Sequence, residues 1–539
     1  METLPQELVQ TGLSGAAGPS FGELLRALQR AREEEEATGV FLRLGPFGGG
    51  WARALELRSG LQSIRGAKKP VHCHLTHADN LSYAVAAQAC DRVTMTPSGM
   101  LELVGVSAQV VYLRRLLDSV GLRADGVQIG RFKGAADPLT RNSMPEETIE
   151  TLGAILDSLQ SQLIAALVEG RGLLAPKAQA IIDGGPYDAS QARARGLIDD
   201  VEFDDEARAH AKAAAKAKRV AKVALTKDGG SMDWGALFKA LLASEAPSKP
   251  EGSRLAVVYL TGAIGSDPNP GFPGTAAGPF VKHLRKLGDD DDVRAVVLRI
   301  DSPGGSALAS DRMWHAVRRV AKRKPVIASV GDMAASGGYW VASAASTILA
   351  DDTSLVGSIG VVGGKLVVAE LAQRLGLNAV VLRRGSRADW VSPMRRFSPD
   401  ERGALRSLLE RTYQRFIGRV AAGRKLKHEE VLPAAEGRLM TGRVARKHKL
   451  VDERGGLSDA LTLARAEGQL SETAPLDVWP PPKSLLQELS RYLHEPDARA
   501  LPAELQKLAG DLLAPGMLAA LVLQSETVAA TLPYVLTLR

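Results

Sequence analysis

Cysteine is nearly absent. Cys73 and Cys90 are the only two in 539 residues, so no disulfide framework is implied and the redox compartment stays undecided. Aromatic residues make up only 4%, which argues against an aromatic-lined nucleic-acid surface. Neither sign of charge dominates: 68 basic against 61 acidic residues leave +7. Spread over a large surface, that excess reads mainly as solvated charge, with weak attraction to anionic lipid as the sharper alternative. The opening "METLPQELVQTGLSGAAGPSF" has no basic region followed by an apolar one and holds no membrane span. The most apolar tail, "LLAPGMLAALVLQSETVAATLPYVLTL", is interrupted by Pro515, Gln524, Glu526 and Pro533. A packed or interfacial helix is expected there, not a spanning one.

What the chain does have is a second copy of itself. Residues 39–50, "GVFLRLGPFGGG", and 294–306, "RAVVLRIDSPGGS", are both short apolar strands running into glycine-rich loops. Gly49 and Gly305 lie 256 positions apart, as do Tyr83 of "HADNLSYAVAA" and Tyr339 of "ASGGYWVASAA". Downstream, "MPEETIETLGAILDSLQSQLIAALVEGRGL" matches "SPDERGALRSLLERTYQRFIGRVAAGRKL". Both begin with proline and acidic residues, a helix-start signal, followed by apolar spacing of three and four. Strand and helix alternate within each copy, which predicts an α/β fold with mostly parallel strands and ligand sites at loops after strand C-terminal ends. The expected organisation is an N-terminal repeat over 1–203, a basic helix and linker over 204–253, a C-terminal repeat over 254–468 and an extension over 469–539. The second copy opens with the strand "LAVVYLTGAIG". The first has only polar and small residues before Phe21, so either it lacks that strand or the chain starts late relative to its relatives.

Each copy serves as the other's control. "GDMAASGGYW" follows a strand-like run and precedes an apolar one, so Ser336 is expected at a sharp turn into a helix, placed as a nucleophile. The first copy carries Asn80 at that position. A serine needs a base, and no histidine lies within forty residues after Ser336 or twenty before it. A distant histidine is not excluded by this, but a Ser-Lys arrangement is the other known solution. "GRFKGAADPLTR" of the first copy aligns with "RGSRADWVSP" of the second, setting Lys133 opposite Ala388. The lysine is present only where the serine is absent, so one copy would supply the nucleophile and the other the base across a cleft.

"RIDSPGGSALA", "GDMAASGGYWVASAA", "SLVGSIGVVGG" and "GRFKGAADP" together resemble the signal peptide peptidase A (protease IV) family of Clp-like serine proteases in its long, two-repeat form. The resemblance spans roughly residues 20–460. It implies two tandem Clp/crotonase-like βα repeats, Ser336 as nucleophile, Lys133 as general base and Ser358 as the group holding the lysine. It also implies cleaved signal peptides and other short apolar peptides as substrates, bound extended in a groove, and a membrane-associated bowl, tetrameric in this form. Gly337, beside the nucleophile, and Gly304 or Gly305 of "DSPGG" are the candidate oxyanion donors, since backbone N-H groups must approach the substrate closely there. No metal, organic cofactor or nucleic acid enters this expectation. Members of this form usually carry an N-terminal membrane anchor. None is evident here, so localisation stays between a cell-envelope or membrane-associated protein and a soluble cytoplasmic one.

Each element also has a plainer reading. Ser336 alone is a cap, Lys133 a surface lysine, Gly304 and Gly305 a turn, and Ser358 part of a tight turn. In "VHCHLTH", His72 and His74 would face one side of a strand and Cys73 the other, so these read as packing and edge residues and not as a metal site. Asp301 and Asp332 read as loop caps. Two rival functions stay open: a crotonase-type acyl-CoA enzyme, and an inactive peptide-binding scaffold.

Overall fold

The computed structural model describes residues 21–221, 252–266, 274–480, 529–531 and 537–538. It is mixed α/β, and the chain divides into two compact units. Of the described residues, one holds 21–107, 156–221 and 538; the other holds 108–155, 252–266, 274–480, 529–531 and 537. The division departs from the boundaries expected from sequence, because residues 108–155 of the first copy pack within the second unit.

In the first unit the strands Val40–Leu44, Val71–Asp79 and Arg92–Glu102 lie parallel and adjacent, registered Val40 to Val71 and His72 to Arg92. The central strand is buried on both faces, by Val71, Cys73 and Leu75 on one and by His74 on the other. Such two-faced burial is what a parallel sheet with covering helices requires. In the second unit Arg254–Thr261, Val293–Ser302, Val326–Ala335 and Thr347–Ala350 repeat the plan, again parallel. Leu476–Trp479 adds at one edge beside Arg254–Thr261. Tyr83 and Tyr339 keep the same bond in each copy: their buried hydroxyls donate to the carbonyls of Leu197 (2.7 Å) and Leu450 (2.8 Å).

A second sheet in the second unit positions the site. Its order is Gly274–Ala276, Ala263–Gly265, Gly304–Ser306, Ala529–Thr531, Val361–Val367, Arg123–Ile129. The last two pair antiparallel over seven residues, from Val361 opposite Ile129 to Val367 opposite Arg123. The buried Asp125 carboxylate accepts the Phe397 N-H at 2.8 Å and pairs with Arg402, which pins this excursion of the first copy in place.

Two expectations need amending. Cys73 and Cys90 form a disulfide, their Cα atoms 5.9 Å apart. A separation of 17 positions, spanning the rest of a strand and the helix that follows it, brings them together, a proximity that two isolated cysteines in a sequence do not reveal. Residues 529–531, within the tail expected to be helical, form a strand; the rest of that stretch up to 528, the linker after 221 and the segment before Phe21 lie outside the described residues. The helix Glu146–Arg171 is long and apolar enough to cross a membrane by length and composition. Its buried Leu152, Ile155, Leu159, Leu163 and Ala166 recur at threes and fours with Glu150 and Asp157 exposed, the stripe of an amphipathic core helix.

Candidate active site

Ser336 ends the strand Val326–Ala335 and caps the helix Gly337–Ala342. Its backbone lies at φ 53°, ψ −115°, a region costly for any side chain and found where the surroundings over-determine the turn. The surroundings are evident. The Ser336 N-H donates to the Gly357 carbonyl at 2.7 Å, and Trp340, one turn into the helix, is fully buried and stacks on Phe416 with centroids 4.3 Å apart. Gly338 is needed for close approach, since a Cβ there would stand 2.8 Å from the Ser302 carbonyl oxygen. The sharp turn into a helix expected from "AASGGYW" is what forms, a strand-turn-helix elbow that holds the hydroxyl forward.

Lys133 follows the strand Arg123–Ile129 and is completely buried. Its Nζ lies 2.8 Å from Ser336 Oγ, 2.9 Å from Ser358 Oγ and 3.1 Å from the Ser358 carbonyl oxygen. Burial holds its pKa well below the ordinary lysine value, because an ammonium loses its hydration there. Nζ donates to all three oxygens as placed; once neutral, it keeps two N-H groups for the Ser358 oxygens and turns its lone pair to the Ser336 O-H.

Ser358 is also buried and sits at φ 52°. Its N-H donates to the Arg438 carbonyl at 2.7 Å, and the Gly437 N-H returns to the Ile359 carbonyl at 2.7 Å. The loop 436–438, which drew no notice in the sequence, thereby forms a wall of the lysine site. The Phe132 N-H donates to the Glu436 carbonyl at 2.7 Å, and the Arg438 guanidinium lies 3.7 Å from the Phe132 ring centroid. Gly437 has φ 82°, and a Cβ on it would come within 2.6 Å of the Lys133 backbone nitrogen. A glycine in a loop was the only sequence signal.

All three predicted catalytic side chains thus converge. Gly337 opens the helix after Ser336, and Gly304 and Gly305 lie on the strand Gly304–Ser306. The Gly304 N-H is directed at Ser302 Oγ, 3.2 Å away. At the aligned position of the first copy, the Asn80 amide donates to the Gly105 carbonyl at 2.8 Å and accepts the Val104 N-H at 3.1 Å. That side chain clamps its loop and offers no nucleophile. His74 is buried with its Nδ1 2.9 Å from Thr94 Oγ1, a packing role as expected.

The profile of peptidase family S49 matches residues 63–218 and again 318–471. A serine protease SPPA, chloroplastic, of Arabidopsis thaliana is 30% identical over 484 residues, covering 88% of this chain and 68% of the relative. Protease 4 of Salmonella typhi is 30% identical over 475 residues, 85% of this chain and 73% of the relative. Protease 4 of Haemophilus influenzae is 28% identical over 508 residues, 88% and 78%.

Proposed function

Because the chain belongs to peptidase family S49 and is thereby a serine peptidase, we propose that it cleaves peptide bonds with a Ser336-Lys133 dyad oriented by Ser358. The observation that carries this is the 2.8 Å contact between a fully buried lysine amine and the elbow serine. Lys133 takes the Ser336 proton as Oγ attacks the peptide carbonyl, then passes it to the leaving amine. Water, deprotonated by the same amine, hydrolyses the acyl-enzyme and regenerates the serine. The oxyanion is stabilised by backbone donors, at a typical worth of ~10²- to 10³-fold in rate each. Gly337 qualifies as a first-turn amide with no acceptor inside its helix. Of the two loop glycines, Gly304 has Ser302 Oγ as a partner and Gly305 lies in the ladder opposite Ile264 and Ala530, so both stay candidates. The dyad itself calls for no metal or organic cofactor.

Short apolar peptides, signal peptides among them, are the substrate class that the family resemblance favours, on a Clp/crotonase-like tandem repeat. A homo-oligomer, tetrameric by that resemblance, is supported by an exposed run in the second copy: Leu377, Val380 and Leu382 are 63%, 81% and 90% exposed. They align with residues 122, 125 and 127 of the first copy, the stretch that includes the paired strand Arg123–Ile129. A second chain is the natural cover for such a run, and Val380→Asp with Leu382→Asp would dissociate the assembly in light scattering. The family resemblance favours a membrane-associated location over a soluble cytoplasmic one; flotation with anionic vesicles tests that.

Fluorophosphonate labelling tests the chemistry. Folded wild type reacts, whereas Ser336→Ala and Lys133→Ala do not. Labelling that persists without Ser336, or is absent from folded wild type, overturns the dyad in favour of a scaffold.

A further inference from the structure

The loop 436–438 that walls the lysine site is seated by one buried side chain. Tyr413, on the helix Pro399–Arg424 and 8% exposed, accepts the Glu436 N-H at its hydroxyl oxygen, 3.0 Å away. Glu436 then leads back to the base. Its carbonyl takes the Phe132 N-H, and Lys133 is the next residue. The backbones meet closely here: a Cβ on Gly130 would stand 2.6 Å from the Glu436 carbonyl carbon, and one on Gly360 3.1 Å from Gly437 Cα and from Lys133 Cδ. Glu436 itself lies at φ 57°, a left-handed conformation that a residue with a side chain keeps only where its surroundings hold it.

The first copy shows the same loop with no lysine to seat. Gly423 and Gly170 face the carbonyl oxygens of Ser343 and Ala87, where a Cβ would come within 1.8 and 2.3 Å. Ser343 and Ala87 are 256 positions apart, so the two long helices match at an offset of 253 and Tyr413 falls on Gln160. Gln160 instead donates to Gln179 Oε1 at 3.2 Å. Met440 opposes Val356 as Asp188 opposes Met100, which sets Glu436, Gly437 and Arg438 against Gly184, Gly185 and Pro186. Gly184, free to take either hand, sits at φ −94°. The phenol and the left-handed residue it holds thus occur together, in the copy that receives the lysine.

We propose that Tyr413 is a positioning residue for the general base: through Glu436 and Phe132 it fixes where the Lys133 amine stands and keeps the wall behind that amine closed. This rests on the Ser336-Lys133 reading above. Burial is what lowers the lysine pKa, so a loosened wall admits water, hydrates the ammonium and raises that pKa. Burial also raises the phenol's own pKa above its ordinary value, and the ring stays neutral. The charged groups about the loop are Glu436, Arg131 and Arg438 with their partners Glu147 and Glu150, and Asp137 with Arg141 on the lysine's own segment. Removing the phenol oxygen changes none of them.

The test is Tyr413→Phe, which deletes that oxygen and keeps the ring, beside Leu284→Ala, a buried position on the helix Ala277–Asp289. Amide exchange at Phe132 and Glu436 should accelerate in Tyr413→Phe, a readout independent of catalysis. For a quenched fluorescent peptide kcat should fall about tenfold with KM nearly unchanged, short of the ~10²-fold cost of a full ångström's misplacement. The acid limb of its pH-rate profile should move to higher pH. Leu284→Ala should lose more stability and leave the limb in place. Unchanged exchange or an unmoved limb in Tyr413→Phe overturns the proposal, as does an equal shift in Leu284→Ala. Folded wild type that fails to label with fluorophosphonate would instead sink the dyad reading, while exchange at Phe132 still decides whether Tyr413 holds the loop.

Discussion

Lys133 and Ser336 are 203 positions apart in the chain and 2.8 Å apart at Nζ and Oγ. On the dyad reading, this buried base has to be uncharged to work. Because burial lowers the lysine pKa well below its ordinary value, kcat/KM should climb with pH along an acid limb far below 10. Lys133→Arg, which cannot lose its proton, should abolish turnover at every pH. A pH-rate profile with its midpoint at the free-lysine value would contradict this.

The same group links pH to stability. Between the lowered folded pKa and about 10.4 the unfolded chain holds the extra proton. Stability should therefore rise with pH across that window, be fully present above it, and be lost as pH falls through the folded value. Lys133→Met, close in volume and never charged, should flatten that slope in urea titrations at several pH values. A slope equal to wild type would mean the lysine is charged in the folded state.

Ser358 orients the amine through two oxygens, and only one is its side chain. Ser358→Ala should cost about 10- to 100-fold in kcat, the worth of one partner of a buried group at 1–3 kcal/mol. It should leave KM nearly unchanged and shift the acid limb. A merely structural serine would lower stability without moving the limb.

Gly437 is the sharpest steric test. An alanine there carries the strain of φ 82° and meets the Lys133 backbone. The expected cost is about 1–3 kcal/mol in stability. The larger effect should be on rate, about 10²-fold, because displacing the amine by an ångström is enough. Wild-type activity in folded Gly437→Ala would show that the 436–438 loop does not set the lysine's position.

Backbone strain at Ser336 predicts a trade of activity for stability. Ser336→Gly relieves a conformation that costs about 1–3 kcal/mol for a residue with a side chain, so it should melt above Ser336→Ala, with both inactive. Equal melting temperatures would mean the turn carries no strain.

The α/β layering and the two residues whose side chains meet at 2.8 Å were legible because the repeat supplied an internal comparison. Asn80 against Ser336 and Ala388 against Lys133 singled out two positions that in one copy would have been an ordinary cap and an ordinary surface lysine. Other features depended on distance in space, to which sequence separation is blind. Gly437 looks like any loop glycine until Lys133 is set against it. Cys73 and Cys90 become partners only once a strand and a helix end are packed. The strand at 529–531 was masked by apolar neighbours that suggested a helix, and its pairing with Gly304–Ser306 has no counterpart in the first copy to compare it with.

The disulfide itself should be measurable. Alkylation of the denatured, unreduced protein should leave its mass unchanged, and reduction should expose both thiols together. A mass gain before reduction would show the two thiols free and overturn the disulfide.

The excursion of residues 108–155 into the second unit also bears on how the protein can be inherited. After most duplications one copy is a spare that can drift or be deleted. On the dyad reading, the half with Asn80 in the serine's place carries the base, and the half with Ser336 has Ala388 in the lysine's place. Neither can stand in for the other, so damage to either half is damage to the whole. A single-repeat descendant of this chain would first have to regain a residue that its remaining half lacks.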